Sequence, residues 1–190
     1  MFPNNIQSAK AINPISQGQS KQMTPLENKS YRDDITGVYT IYKMQQELQK
    51  KMTEPQSTFS VICLNIDFFT EINETYGCQI GNEVLKESAR RLVAVTKNEQ
   101  CVFRKYADEF MLLIDQPAHV NSLMTNLHRV FLTPFCSDGQ SLRLSLSIGV
   151  AHYPNHGLTE EMLMYVAHVA MCRNKQMKIT CKNADGLPQI

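Results

Sequence analysis

Arg104-Lys105-Tyr106-Ala107-Asp108-Glu109-Phe110 sets two adjacent carboxylates between two apolar runs. Cys101-Val102-Phe103 before it and Met111-Leu112-Leu113-Ile114 after it read as strands, so the acids fall where a hairpin turns and negative charge collects at an exposed tip. Successive residues of an extended chain point to opposite faces, so Asp108 and Glu109 serve one ligand only if the turn twists them together. Otherwise one holds a metal while the other does something else. As a plain turn, the same heptapeptide is a solvated acidic corner.

Working outward, an apolar-polar pattern from Tyr39 to about Met52, closed by Pro55, predicts a helix. Thr58 to Asp67 predicts a strand whose nearly continuous apolar stretch, Phe59 to Ile66, belongs at the centre of a sheet, buried on both faces. Its end delivers Asn65 and Asp67. Phe68 to about Thr75 predicts a short helix stopped near Tyr76-Gly77, and Gly81-Asn82 opens a longer one with Val84, Leu85, Ala89, Leu92 and Val93 on one face. Val120, Leu123, Leu127, Val130 and Phe131 share another helical face, and Leu142 to Ile148 alternates as a strand punctuated by Gly149 and Pro154. Thr159 caps a last helix, with Glu160 and Glu161 in its first turn. The order α-β-α-α-β-β-α-β-α packs helices on a mostly antiparallel central sheet, an α+β fold.

With 43% hydrophobic residues in 190, the chain suits one domain with a proper core. Residues 1–30, rich in Asn, Gln, Ser, Pro and Lys, predict a flexible polar tail; residues 31–182 form the domain and 183–190 a second short tail. A net charge of +1 gives no global field to recruit nucleic acid or an anionic membrane. Six cysteines without a C-x-x-C pair suit a reducing compartment, and no run approaches the ~20 apolar residues that span a bilayer. The expectation is a cytoplasmic protein with neither a nucleic-acid nor a membrane partner. His152 and His156 have H-x-x-x-H spacing on a Pro-Gly loop rather than on a helix, which does not argue for a metal.

Five blocks then occur in a fixed order: Asp33-Asp34-Ile35-Thr36-Gly37-Val38; Asn65-Ile66-Asp67-Phe68-Phe69 with Ile72-Asn73; Tyr76-Gly77 with Gly81-Asn82-Glu83-Val84-Leu85; Tyr106-Ala107-Asp108-Glu109-Phe110; and Ser147-Ile148-Gly149-Val150 through Ala170 to Lys175. In this order and spacing, from about Asp33 to Thr180, they resemble the GGDEF domain, whose active members are diguanylate cyclases making cyclic di-GMP from two GTP. The resemblance implies a nucleotidyl-cyclase, palm-like version of the α+β fold.

It also implies roles. Asn65 and Asp108 match the positions that hold two divalent cations against the GTP phosphates, and Asp67 lies on the face of Asn65 as a partial substitute. Glu109 matches the second acid of the signature, implied in activating the 3′-hydroxyl or holding metal. Asn73 and Asn82 match the residues that read guanine, and Thr70 and Lys175 match phosphate-binding lysines. Several matches are damaged. An amide at Asn65 offers one neutral oxygen where a carboxylate offers two charged ones, and Mg²⁺ prefers hard anionic oxygen. Tyr106 and Ala107 stand where glycines let the backbone approach a nucleotide. Asn82 offers one acceptor and one misplaced donor to the two donors on the guanine edge. Ile179 replaces an arginine that gives bidentate bonds, although Lys178 lies beside it, and Lys97-Asn98-Glu99-Gln100 lacks the R-x-x-D product-inhibition site. His168 replaces an acidic family position and reads as a plain helix residue.

The resemblance with these departures implies a degenerate GGDEF domain without turnover, acting in cyclic di-GMP signalling by binding a partner protein or a nucleotide, GTP or cyclic di-GMP. Mg²⁺ is implied only if nucleotide binding is retained, and a homodimer if two sites must face each other. Tyr106, flanked by Arg104 and Lys105 at the expected tip, has the composition of an interface. Two alternatives stay open: an active diguanylate cyclase with altered metal ligands, and a purely structural module.

Overall fold

A computed structural model describes residues 31–184 apart from Asp138, with side chains to residue 181; most of both expected tails, 1–30 and 185–190, lies outside the described residues. Five strands, β1 (Tyr39–Thr40), β2 (Phe59–Ile66), β3 (Val102–Tyr106), β4 (Glu109–Ile114) and β7 (Leu146–Tyr153), form one sheet in the order β1-β3-β4-β2-β7. Only the β1–β3 pair is parallel. A separate hairpin joins β5 (Phe135–Ser137) to β6 (Gln140–Leu142). The helices are α1 (Ile41–Met52), α2 (Phe69–Thr96), α3 (Val120–Phe131) and α4 (Glu160–Ala184).

The two-residue period of β2 assigns its side chains to two cores. Ile62, Leu64 and Ile66 join Val84, Leu85, Leu92, Leu123 and Leu127 of α2 and α3 on one face. Phe59, Val61 and Cys63 join Met44 and Leu48 of α1 and Leu163, Ala167 and Met171 of α4 on the other. All eight residues of β2 are buried, as a continuous apolar run in a central strand requires.

Four local readings are corrected. Tyr39 and Thr40 are a strand beside Phe103 and Arg104, and the first helix begins only at Ile41. The expected pair of helices between residues 68 and 96 is present, broken at Gly77, whose non-helical φ of 84° and ψ of 158° suit a residue without Cβ, but the second helix starts directly after Gly77 rather than at Gly81. Gly81 and Asn82 therefore lie inside the helix, and Asn82 is no N-cap. Gly81 instead admits a neighbour: a Cβ there would sit 1.8 Å from Asn73 Oδ1. The alternating run from Leu142 to Ile148 divides between β6 and β7, because Leu142, Leu144 and Leu146 all bury while the Ser145 carbonyl accepts from the Asp67 amide. β7 also runs through Gly149 rather than ending there. A Cβ at Gly149 would lie 2.1 Å from the Ala167 carbonyl oxygen and 2.2 Å from the Met171 nitrogen, so the backbone of α4 rests directly on the strand.

A buried arginine closes the opposite face. Arg91 of α2 donates to the carbonyls of Val130, Thr133 and Pro134 and to Glu87, which satisfies the orphan acceptors at the end of α3.

Candidate active site

The ends of β2, β4 and β7 meet the second half of α4 on one side of the sheet. Register places Asn65 of β2 between Glu109 of β4 and Ser147 of β7. Asn65 Nδ2 donates to Asp108 Oδ2 at 2.8 Å, and Lys175 Nζ of α4 donates to Asn65 Oδ1 at 2.8 Å. The lysine fixes which end of the amide is oxygen, since an ammonium only donates. Asp67, also buried, has both oxygens engaged: Ser147 Oγ donates to Oδ1 at 2.5 Å, and Ser145 Oγ and Lys178 Nζ donate to Oδ2 at 2.6 and 2.8 Å. Lys178 also donates to the Leu146 carbonyl. Burial raises the Asp108 carboxyl above its ordinary value, with the Asn65 hydrogen bond opposing the shift.

The turn sends the two acids to different partners, Asp108 to Asn65 and Glu109 to Lys105 and Tyr106. Ala107 takes a φ of +45°, and the pairing of β3 with β4 shifts register between Arg104 and Tyr106. Arg104 stabilises this conformation, donating to the Ala107 carbonyl through Nε at 3.0 Å and Nη2 at 2.7 Å and to Asp33 Oδ1 through Nη1 at 2.8 Å. Burial alone would raise Asp33, but hydrogen bonds from Thr36 and Arg104 outweigh it and hold the carboxyl below its ordinary value.

The exposed acidic tip is thereby corrected. Glu109 and Arg104 are buried, Lys105 and Asp108 are half-buried, and of the large side chains in the turn only Tyr106 stands clear, at 55% exposure. The desolvation that expels a charged side chain from an interior is offset here by ion pairing. Glu109 accepts from Lys105 Nζ at Oε2 (2.9 Å) and from the Tyr106 hydroxyl at Oε1 (3.2 Å). Burial would lower the Lys105 ammonium, yet its bond to Glu109 and that group's charge raise it. The Lys105 ammonium also sits 4.7 Å from the centre of the Tyr106 ring.

The other expected nucleotide residues are spread along α2. Asn73 is half-buried before the kink, Asn82 is exposed after it, and Thr70 is exposed on the first turn. Only Lys175 among them reaches the Asn65 network. The metal positions do not fit the paired cations that the resemblance implies. Mg²⁺ takes hard oxygen ligands in near-octahedral array. Asn65 presents an N–H to Asp108, its own oxygen accepts from an ammonium, and Asp67 is saturated by two hydroxyls and a second ammonium.

Sequence reading overlooked Ser145, named Lys178 only as a neighbour of Ile179 and Asp33 only within the first block, and assigned Arg104 to an interface. The partners of Asp67 depend on strand register, which local composition does not encode.

Residues 30–180 match the family described as Diguanylate cyclase, GGDEF domain. The chain belongs to the GGDEF family. The domain is 31% identical over 155 residues to MucR of Pseudomonas aeruginosa, a bifunctional diguanylate cyclase/cyclic di-GMP phosphodiesterase; the match covers 80% of this chain and 21% of MucR. It is 32% identical over 151 residues to an uncharacterized signaling protein of Caulobacter vibrioides, covering 76% and 19% respectively. The GGDEF domain thus spans about a fifth of the length of these relatives. Among solved structures, a sensory box/GGDEF family protein from Caulobacter crescentus superposes with a TM-score of 0.70 at 32% identity, covering 78% of this chain and 99% of that one. The GGDEF domain of YfiN from Pseudomonas aeruginosa superposes with a TM-score of 0.70 at 28% identity, covering 75% and 92%. These neighbours share the GGDEF architecture of a mostly antiparallel sheet flanked by helices. Among the described residues no helix of this domain is long and apolar enough to cross a membrane.

Proposed function

We propose that this GGDEF domain does not turn over GTP and serves cyclic di-GMP signalling by binding a partner protein or a nucleotide. One observation carries the reading: the amide of Asn65 directs a hydrogen-bond donor at Asp108 while Lys175 takes its oxygen, so a neutral hydrogen-bonded chain stands where the family resemblance implies cation ligands. Asp67 is a poor substitute, since recruiting its carboxylate means breaking bonds to Ser145, Ser147 and Lys178. Tyr106 adds a ring where glycine is expected, and its hydroxyl engages Glu109.

The test is incubation of the purified chain with GTP and Mg²⁺, with product separated by chromatography, beside calorimetry with GTP and with cyclic di-GMP. The expected result is no cyclic di-GMP above a Glu109→Ala control. Product above that control would overturn the proposal and favour a cyclase with altered ligands.

A further inference from the structure

Beneath the hairpin, two metal-ligating side chains outside the networks above, Cys63 and His168, converge on Glu109. Cys63 of β2, Glu109 of β4 and His168 of α4 place a sulfur, a carboxylate oxygen and a ring nitrogen all within 4.8 Å of one another. Cys63 is fully buried and its thiol is free. His168 Nδ1 is a buried nitrogen without a hydrogen-bond partner, facing Glu109 Oε2 at 3.7 Å, while Nε2 lies 3.4 Å from Cys172 Sγ on the outer side.

We propose that Cys63, Glu109 and His168 form a binding site for a transition-metal dication of the Zn²⁺ class, distinct from the Mg²⁺ positions implied at Asn65 and Asp108. Thiolate and imidazole select borderline-soft metals, whereas Mg²⁺ asks for oxygen. Ligands about 2.0–2.3 Å from a tetrahedral Zn²⁺ stand about 3.5 Å apart, so side-chain rotation needs to close only about 1 Å. Charge balances as well: a dication with one thiolate, one carboxylate and a neutral imidazole is neutral, as a buried site requires. Binding releases the Cys63 proton and displaces the Lys105 ammonium from Glu109. Lys105 already lies against the Tyr106 ring, where its charge retains a partner. The His168 side chain is 34% exposed, so rotation of its ring opens the buried Nδ1 side to an entering metal. This inference does not depend on whether the domain turns over GTP.

The experiment titrates the full chain, reduced and metal-free, with Co²⁺ while recording the near-ultraviolet thiolate-to-cobalt absorption, then displaces Co²⁺ with Zn²⁺. One equivalent of Co²⁺ should produce the band, Zn²⁺ should abolish it, and a large excess of Mg²⁺ should leave it. Cys63→Ala should remove the band, His168→Gln should weaken affinity by about 100-fold or more, and Cys172→Ala should retain the band. Because Cys63 is a core residue, circular dichroism checks its variant, and the half-exposed His168→Gln carries the test if that variant does not fold. Absence of the band, its persistence in Cys63→Ala, an unchanged Co²⁺ affinity in His168→Gln, its loss in Cys172→Ala, or competition by Mg²⁺ would each overturn the proposal.

Discussion

Lys175 donates to the amide oxygen of Asn65 at 2.8 Å and thereby aims the amide nitrogen at Asp108. The lysine's charge is spent on a neutral neighbour, and the orientation of that neighbour follows from it. Restoring the family pattern with Asn65→Asp, Tyr106→Gly and Ala107→Gly replaces the donor by a carboxylate and opens the turn. Calorimetry should then show Mg²⁺-dependent GTP binding at least about tenfold tighter than in the parent chain, a gain of about 1.4 kcal/mol. Unchanged affinity would mean that metal capture is not what limits nucleotide binding here.

Gly149→Ala should be among the most damaging single changes in the molecule. Its methyl group meets backbone atoms of α4 at 2.1 and 2.2 Å, and backbone, unlike a side-chain tip, cannot swing aside. Urea unfolding should show a loss of about 3 kcal/mol or more. A cost below about 1 kcal/mol would mean that α4 sits farther from β7 than described.

Arg91 and its neighbour Arg90 offer a matched pair. Arg91 is 6% exposed and Arg90 70%, and both hold Glu87. Arg91→Met leaves the carbonyls of Val130, Thr133 and Pro134 without this donor, while Arg90 still holds Glu87, and should cost about 3 kcal/mol, whereas Arg90→Met should cost less than about 1 kcal/mol. Equal effects in parallel denaturation curves would contradict this account.

The same cluster sets an acid limit. Hydrogen bonds from Arg90 and then Arg91 lower the Glu87 carboxyl from 4.5 to about 2. A depressed folded value contributes stability that is present above pH 4.5 and is lost as pH falls toward 2. Asp33, lowered below 3.8 by Thr36 and Arg104 against its burial, adds in the same direction below about pH 4. Asp108, raised by burial, acts with the opposite sign. Melting temperatures between pH 5 and 2.5 should therefore fall less steeply in Glu87→Gln than in the parent chain; identical slopes would assign the acid sensitivity elsewhere.

Tyr106 is the exposed member of the hairpin, and its removal should leave the fold intact while costing a bound protein partner about tenfold or more in affinity. Arg104→Ala should instead destabilise the isolated domain, because it frees the Ala107 carbonyl and Asp33. A partner identified by pull-down that binds Tyr106→Ala unchanged would place the contact away from the turn.

The long elements were legible because burial imprints a pattern: an unbroken apolar run in β2, buried on both faces, and a spacing of three to four residues in α2 and α3. What escaped depended on distant neighbours. Gly149 reads as a strand terminator until a helix backbone is laid on it, and Gly81 reads as a helix opening until Asn73 folds against it. The acids of the hairpin looked exposed because a turn is usually wet; Asn65 of β2 beside Asp108 and His168 of α4 beside Glu109 reverse that. Tyr39 and Thr40 lack a period of their own and are strand because Phe103 and Arg104 pass beside them.

The bare patch at Gly149 reaches beyond stability. With no side chain between them, α4 and β7 mesh like a key in a keyway: a one-residue slide of about 1.5 Å drives the first Cβ of the helix surface into the strand. His168, Lys175 and Lys178 all ride on that helix, so none can be withdrawn from the sheet by translation alone. Releasing them from the sheet therefore takes a bend or local unwinding of α4 rather than a slide.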